Sequence, residues 1–183
     1  MVEPPKAARK AYSEARANSL SQKSKARSPA PPASGSLKNP ADLVARLELL
    51  LPERVLLIDV PRELAALVEN ARAADKTTLE TSGDAIRSVK EKFDAILVWR
   101  EDRAGSRSIF ERAVGRLEPE GALWVVTAMK KVRGPRTPAV HRLELSDLAK
   151  GFGKDGLAND REVRVSAWNV AYRFVRSGSA LKG

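Results

Sequence analysis

Two apolar patterns alternate along the chain. Short runs with a large apolar residue at nearly every position, RVLLIDV at 54–60, FDAILVW at 93–99 and ALWVVTA at 122–128, read as strands buried on both faces. Between them, apolar residues recur every three or four positions, which predicts amphipathic helices. One covers 62–74 with Leu64, Leu67, Val68 and Ala71 on a single face; another covers 108–117 with Ile109, Ala113 and Leu117 inward.

Punctuation residues set the boundaries. Pro61 suits the first position of a helix, and Asp42 can cap a short helix that Pro52 ends after Leu51. A short strand is predicted over 77–81 and a short helix over 83–90. Glu118, Pro119, Glu120 and Gly121 read as a tight turn that stops one helix and feeds the strand that follows. A helix over 143–152 should close at Gly151 or Gly153, and the alternation in 162–167 and 170–175 predicts an antiparallel hairpin across Trp168 and Asn169. The order predicts an α/β domain: a mostly parallel sheet in three layers that ends in an antiparallel hairpin. In such sheets ligands lie beyond the carboxyl ends of the strands. That rule directs attention to Asp59, to Glu80, to the run Arg100, Glu101, Asp102, and to Thr127, Lys130 and Lys131.

Composition changes the picture mainly at the N-terminus. Residues 1–40 are rich in Pro, Ala, Ser and Lys with Tyr12 as their one aromatic, and are expected to form a disordered tail; 41–176 form the folded domain and 177–183 a flexible end. The tail nets +6 of a total charge of +10, which suits nucleic acid or another polyanion, although a solubilising extension explains it as well. Lys130, Lys131, Arg133 and Arg136 would extend an anion-binding surface onto the domain, without interleaved aromatics for base stacking. With 183 residues, no cysteine and one histidine, His141, the chain excludes a disulfide framework, a thiol nucleophile and zinc sites built from cysteines or paired histidines. No run of about eighteen apolar residues occurs, and the expected location is cytoplasmic, with no membrane partner.

The order of elements resembles a class I methyltransferase domain, with LEPEGALWVV similar to the segment that leads into one of its central strands. More narrowly, ILVWRED, GALWVVT and AWNVAYRFVR resemble landmarks of the domain-of-unknown-function family 3052, small bacterial proteins with a reduced, Rossmann-like methyltransferase-like domain. Met129 stands where that family is expected to prefer a lysine, which Lys130 or Lys131 could replace. Membership would imply no established activity.

A methyl-donor site normally needs glycines after the first strand, because backbone must approach the nucleoside. Here the turn reads Asp59, Val60, Pro61, Arg62, with no glycine and one backbone N–H missing. The expectation is therefore a non-catalytic, methyltransferase-like binding or regulatory domain, a pseudoenzyme without a cofactor. Two alternatives stand beside it: a divergent S-adenosylmethionine-dependent methyltransferase in which Asp59 and Glu80 hold the cofactor, and a non-specific nucleic-acid-binding protein. Under any of them Arg100, Thr127 and the lysines could grip a phosphate or carboxylate while Glu101 or Asp102 orients them. Loop charges balancing one another in water would look the same.

Overall fold

The computed structural model describes residue 37 and residues 39–129 and 141–178. Nearly all of the tail expected over 1–40, and most of the end expected over 177–183, fall outside the described residues. Helix α1 (Pro40–Arg46) leads to β1 (Arg54–Ile58), α2 (Arg62–Ala71) and β2 (Thr77–Thr81). A 3-10 turn (Ala85–Ser88) precedes β3 (Phe93–Trp99), α3 (Ser106–Arg116) and β4 (Leu117–Ala128). Helix α4 (Leu145–Phe152), β5 (Leu157–Arg164) and β6 (Asn169–Arg176) complete the order. The strands form one six-stranded sheet in the order β2-β1-β3-β4-β6-β5. The first four are parallel, while β6 runs antiparallel to both β4 and β5. No helix among the described residues is long and apolar enough to cross a membrane.

Alternation along the central strands builds a core on each face. Val55, Leu57, Ala95, Leu97, Trp99, Trp124 and Val126 point to the side covered by α1 and α2, where Leu43, Leu47, Leu64 and Val68 meet them. Leu56, Ile58, Ile96, Val98, Leu123 and Val125 point to the other side, under Ile86, Ile109, Ala113, Leu148 and Phe152. Each fully buried Leu, Ile or Val contributes about 1.5–3 kcal/mol relative to exposure, so the continuous apolar runs are what specify a covered sheet. On the second face Phe152 packs edge-on against Phe110 and Phe174, with ring centroids 5.3 and 4.7 Å away.

Several boundaries differ from the sequence reading. Asp42 lies in the first turn of α1, which starts at Pro40 behind Asn39; the helix stops at Arg46 rather than Leu51. The stretch 83–90 forms only the 3-10 turn. The largest difference concerns 118–121, predicted as a turn and found inside β4. Leu117 pairs with Phe93 but Ala122 pairs with Ala95, so the extra residues slip past β3 at a register break. Gly121 stands at that break because a Cβ there would lie 2.9 Å from the Asp94 carbonyl oxygen and from Leu117 Cδ1.

Polar contacts join the layers. Buried Arg72 donates to the carbonyls of Leu49, Glu53 and Thr77 at 2.6–3.0 Å and so ties α2 to the segment before β1 and to β2. Glu48, left-handed at φ 52°, binds Arg161 of β5 and Arg173 of β6, and Arg173 also takes Asp160 in a two-pronged pair at 3.0 and 2.6 Å. Strands β2 and β5 form the two borders of the sheet.

Candidate functional site

The chain leaves β1 toward β2 on one side and reaches β3 on the other, so the direction of winding reverses between β1 and β3. A crevice beyond the carboxyl ends of these strands is the expected ligand position in an open α/β sheet. Asp59 is the first residue past β1 and takes φ 54°, the left-handed conformation that aspartate tolerates better than most residues. Its N–H donates to the Thr81 carbonyl at 3.0 Å, and its Oδ1 accepts from Gly83 N–H at 3.0 Å, lacing the β1 turn to the loop after β2. Gly83 is required by space: an added Cβ would lie 2.4 Å from Ile109 Cδ1 and 2.8 Å from Asp59 Oδ2.

Arg100, just past β3, brings Nη1 to 3.4 Å from Asp59 Oδ2, spanning the reversal point. The two groups pair electrostatically, yet Asp59 Oδ2 and Arg100 Nε are buried atoms with no hydrogen-bond partner among the described residues, as is the neighbouring Trp99 Nε1. One acceptor and two donors therefore lie unsatisfied at the ends of β1 and β3. Orphaned buried polar groups are costly, about 1–3 kcal/mol each, and in a native fold a ligand or ordered water is the usual partner.

The other residues singled out in the sequence are placed as follows. Glu80 is exposed on β2, level with Leu57 of β1, one residue before the strand ends. Glu101 and Asp102, read as orienting groups for the cations, are committed elsewhere. Glu101 Oε1 accepts from Asn169 Nδ2 at 2.7 Å, and Asp102 Oδ1 accepts from Ala104 N–H at 2.6 Å. A short side chain next to a backbone N–H closes such a local turn in preference to reaching across a site. Thr127 is buried and donates through Oγ1 to the Leu143 carbonyl at 2.8 Å. Leu143 N–H in turn donates to the Glu101 carbonyl at 3.1 Å, so the ends of β3 and β4 are joined through the returning chain. Lys130, Lys131, Arg133 and Arg136 lie outside the described residues.

Sequence reasoning missed the returning segment itself. Asp102 pairs with Arg142 as an antiparallel bridge, Arg103 N–H donates to the His141 carbonyl at 2.9 Å, and Arg103 Nη2 meets Asp147 Oδ2 at 2.6 Å. Beside this seam opens a cleft of about 230 Å³ lined by Thr127, Arg142, Glu144, Ser146 and Tyr172. Burial first, then the charges of Glu162 and Glu144, raises the Tyr172 phenol above its ordinary pKa. Nothing in the local pattern announced this cleft, because its walls come from β4, β6 and the approach to α4.

Comparison with known proteins bears on the fold. No family model matches the chain, so the likeness to family 3052 rests on three sequence segments alone. No curated protein matches it either. Solved structures do. The mitomycin 7-O-methyltransferase MmcR superposes with a TM-score of 0.60 at 15% identity over 75% of this chain, which spans 53% of MmcR. A SAM dependent methyltransferase from Aquifex aeolicus gives 0.60 at 11% identity, covering 74% of this chain and 88% of its own. The N-methyltransferase NodS from Bradyrhizobium japonicum WM9, in complex with S-adenosyl-L-homocysteine, gives 0.50 at 16% identity over 75% of this chain and 85% of its own. These structures correct the expectation of no cofactor, since NodS holds S-adenosyl-L-homocysteine within the same architecture. The turn after β1 has no glycine, and Asp59 supplies its left-handed bend. The chain has the Rossmann-like fold of class I SAM-dependent methyltransferases.

Proposed function

We propose that this chain is a divergent S-adenosylmethionine-dependent methyltransferase whose nucleoside site lies at the ends of β1, β2 and β3. Fold alone does not carry such a reading. The observation that does is the trio of orphaned buried atoms at the winding reversal, Asp59 Oδ2, Trp99 Nε1 and Arg100 Nε. Their chemistry fits the group: carboxylates suit ribose hydroxyls, and an indole N–H and a guanidinium N–H suit the nitrogens and carboxylate of an aminoacyl nucleoside. Asp59 and Glu80 would accept from the ribose, while Arg100 and Trp99 would donate. When bound, S-adenosylmethionine supplies an electrophilic methyl on sulfur. The chain's own contribution is to hold the nucleoside, orient it toward the cleft beside Thr127 and Tyr172, and exclude water with Val60, Pro61 and the seam at 141–143. This reading is favoured over the binding-only domain by the likeness of the fold to solved SAM-dependent methyltransferases.

Calorimetric titration of the full chain with S-adenosyl-L-homocysteine tests it. Micromolar binding is expected, and at a hundredfold excess over Kd it would stabilise the fold by about 2.7 kcal/mol. Arg100→Gln should weaken binding at least tenfold. Absence of both heat and thermal stabilisation at millimolar ligand would refute the proposal.

A further inference from the structure

Each residue from Arg100 to Arg103 is tied to another part of the fold. Arg100 N–H donates to the Val126 carbonyl at 2.8 Å, the Glu101 carbonyl accepts from Leu143 N–H at 3.1 Å, and Asp102 bridges Arg142. Arg103 gathers the most. Its N–H donates to the His141 carbonyl at 2.9 Å, its Nε to the Arg142 carbonyl at 2.9 Å, and its Nη2 to Asp147 Oδ2 at 2.6 Å. One residue therefore grips the returning segment at three points, with the planar fork that suits a guanidinium to such a task.

The same residue reaches both flanking helices. The Arg103 carbonyl accepts from Ser106 N–H at 3.2 Å and from Ser106 Oγ at 2.8 Å, and Ser106 is buried at the first turn of α3, behind Gly105 at φ 67°. Asp147 Oδ2 accepts from Glu144 N–H at 3.0 Å as well, within the capping box that starts α4. The loop after β3, the start of α3, the segment at 141–143 and the start of α4 thus meet at Arg103. An arginine side chain that is half exposed, as this one is, adds little to stability through its ion pair. What its contacts do fix is the path of the backbone three residues beyond Arg100.

We infer that Arg103 is a positioning residue for the methyl-donor site: it holds the backbone from Arg100 to Ser106 so that the Arg100 guanidinium stands opposite Asp59 at the winding reversal. The inference rests on the methyl-donor reading and adds to it a residue outside the crevice. None of the hydrogen bonds of Arg103 among the described residues reaches Asp59 or Arg100. Its effect is on the fraction of molecules in which Arg100 is in place, and apparent affinity scales with that fraction.

The test uses the full chain and S-adenosyl-L-homocysteine. Calorimetry should give Arg103→Met a Kd about three- to tenfold above that of the unaltered chain. Arg103→Lys, which keeps one charge for Asp147, should recover part of the affinity. Arg72→Lys is the control for general loss of stability, because Arg72 grips carbonyls at the opposite, amino ends of β1 and β2; it should lower the melting temperature and leave Kd unchanged. Amide exchange followed by NMR needs no variant: saturating ligand should slow exchange of the Arg103 and Leu143 N–H groups about tenfold or more, although neither touches the nucleoside. Failure of the unaltered chain to bind would overturn the methyl-donor reading and this inference with it. Binding with an unchanged Kd in Arg103→Met, equal weakening by Arg72→Lys, or exchange at Arg103 and Leu143 that the ligand leaves untouched would overturn the inference alone.

Discussion

Replacing Asp59 separates two roles that the fold assigns to one residue. Asp59→Ala removes the acceptor of the 3.0 Å bond from Gly83 N–H and forces alanine into φ 54°. A hydrogen bond to a charged acceptor is worth about 1.5–3 kcal/mol, and the left-handed conformation costs a residue with a Cβ about 1–2 kcal/mol. The ion pair with Arg100 adds little, because both side chains are about a quarter to a third exposed and such pairs give under about 1 kcal/mol. The loss should total about 2.5–5 kcal/mol in urea unfolding followed by circular dichroism. Asp59→Gly relieves the strain but gives the unfolded chain about 0.4–1 kcal/mol of added freedom, so it should be only slightly less damaging than Asp59→Ala. Asp59→Asn keeps an acceptor and tolerates the bend, and should fall within about 1 kcal/mol of the unaltered protein. If Asp59→Ala unfolds at the same urea concentration as Asp59→Asn, then neither the bond to Gly83 nor the strained bend holds this crevice together, and the account of the turn fails.

Three other outcomes follow from the packing. Arg72→Met should cost about 3–5 kcal/mol in the same unfolding assay, since it strands the carbonyls of Leu49, Glu53 and Thr77; a loss under about 1 kcal/mol would show that water replaces the guanidinium freely. Gly83→Ala should destabilise by about 1–3 kcal/mol through overpacking against Ile109, with Ile109→Val in the double variant recovering part of it. Tyr172, one of two tyrosines beside Tyr12, should ionise later than a free phenol, because its folded pKa is raised by burial and by Glu162 and Glu144. The stabilising protonated form is fully present below the unfolded value of about 10 and is lost as pH rises through the folded value. Absorbance at alkaline pH should show a late titration that Tyr172→Phe abolishes, and that substitution should blunt the fall in stability.

The layered sheet was legible because β1, β3 and the inner half of β4 are apolar at consecutive positions, a pattern that only burial on both faces satisfies. Pro61 and the helical spacing of Leu64 and Val68 placed α2 equally well. Residues 118–121 misled because Pro and Gly signal a turn locally, whereas here they serve a register slip whose cause, the approach of the Asp94 carbonyl, lies on another strand. For the candidate residues the sequence located the strand ends but not the partners of each side chain. Arg100 and Asp59 meet across the reversal point, but Glu101 and Asp102 proved to be fasteners for Asn169 and Ala104, which depends on pairings distant in sequence. The absence of glycine after β1 suggested a closed turn, and only the backbone angle of Asp59 shows how aspartate does that work.

The sheet's two borders have a further consequence for behaviour at high concentration. β2 is a short row, Thr77–Thr81, that ends beside an exposed carboxylate, and β5 carries Asp160, Arg161, Glu162 and Arg164 in close succession. A second molecule adding itself laterally would have to bring these like-patterned charges together and strip water from them. Short or charged margins of this kind oppose lateral growth into ribbons, at the edges of the same sheet whose interior drives folding.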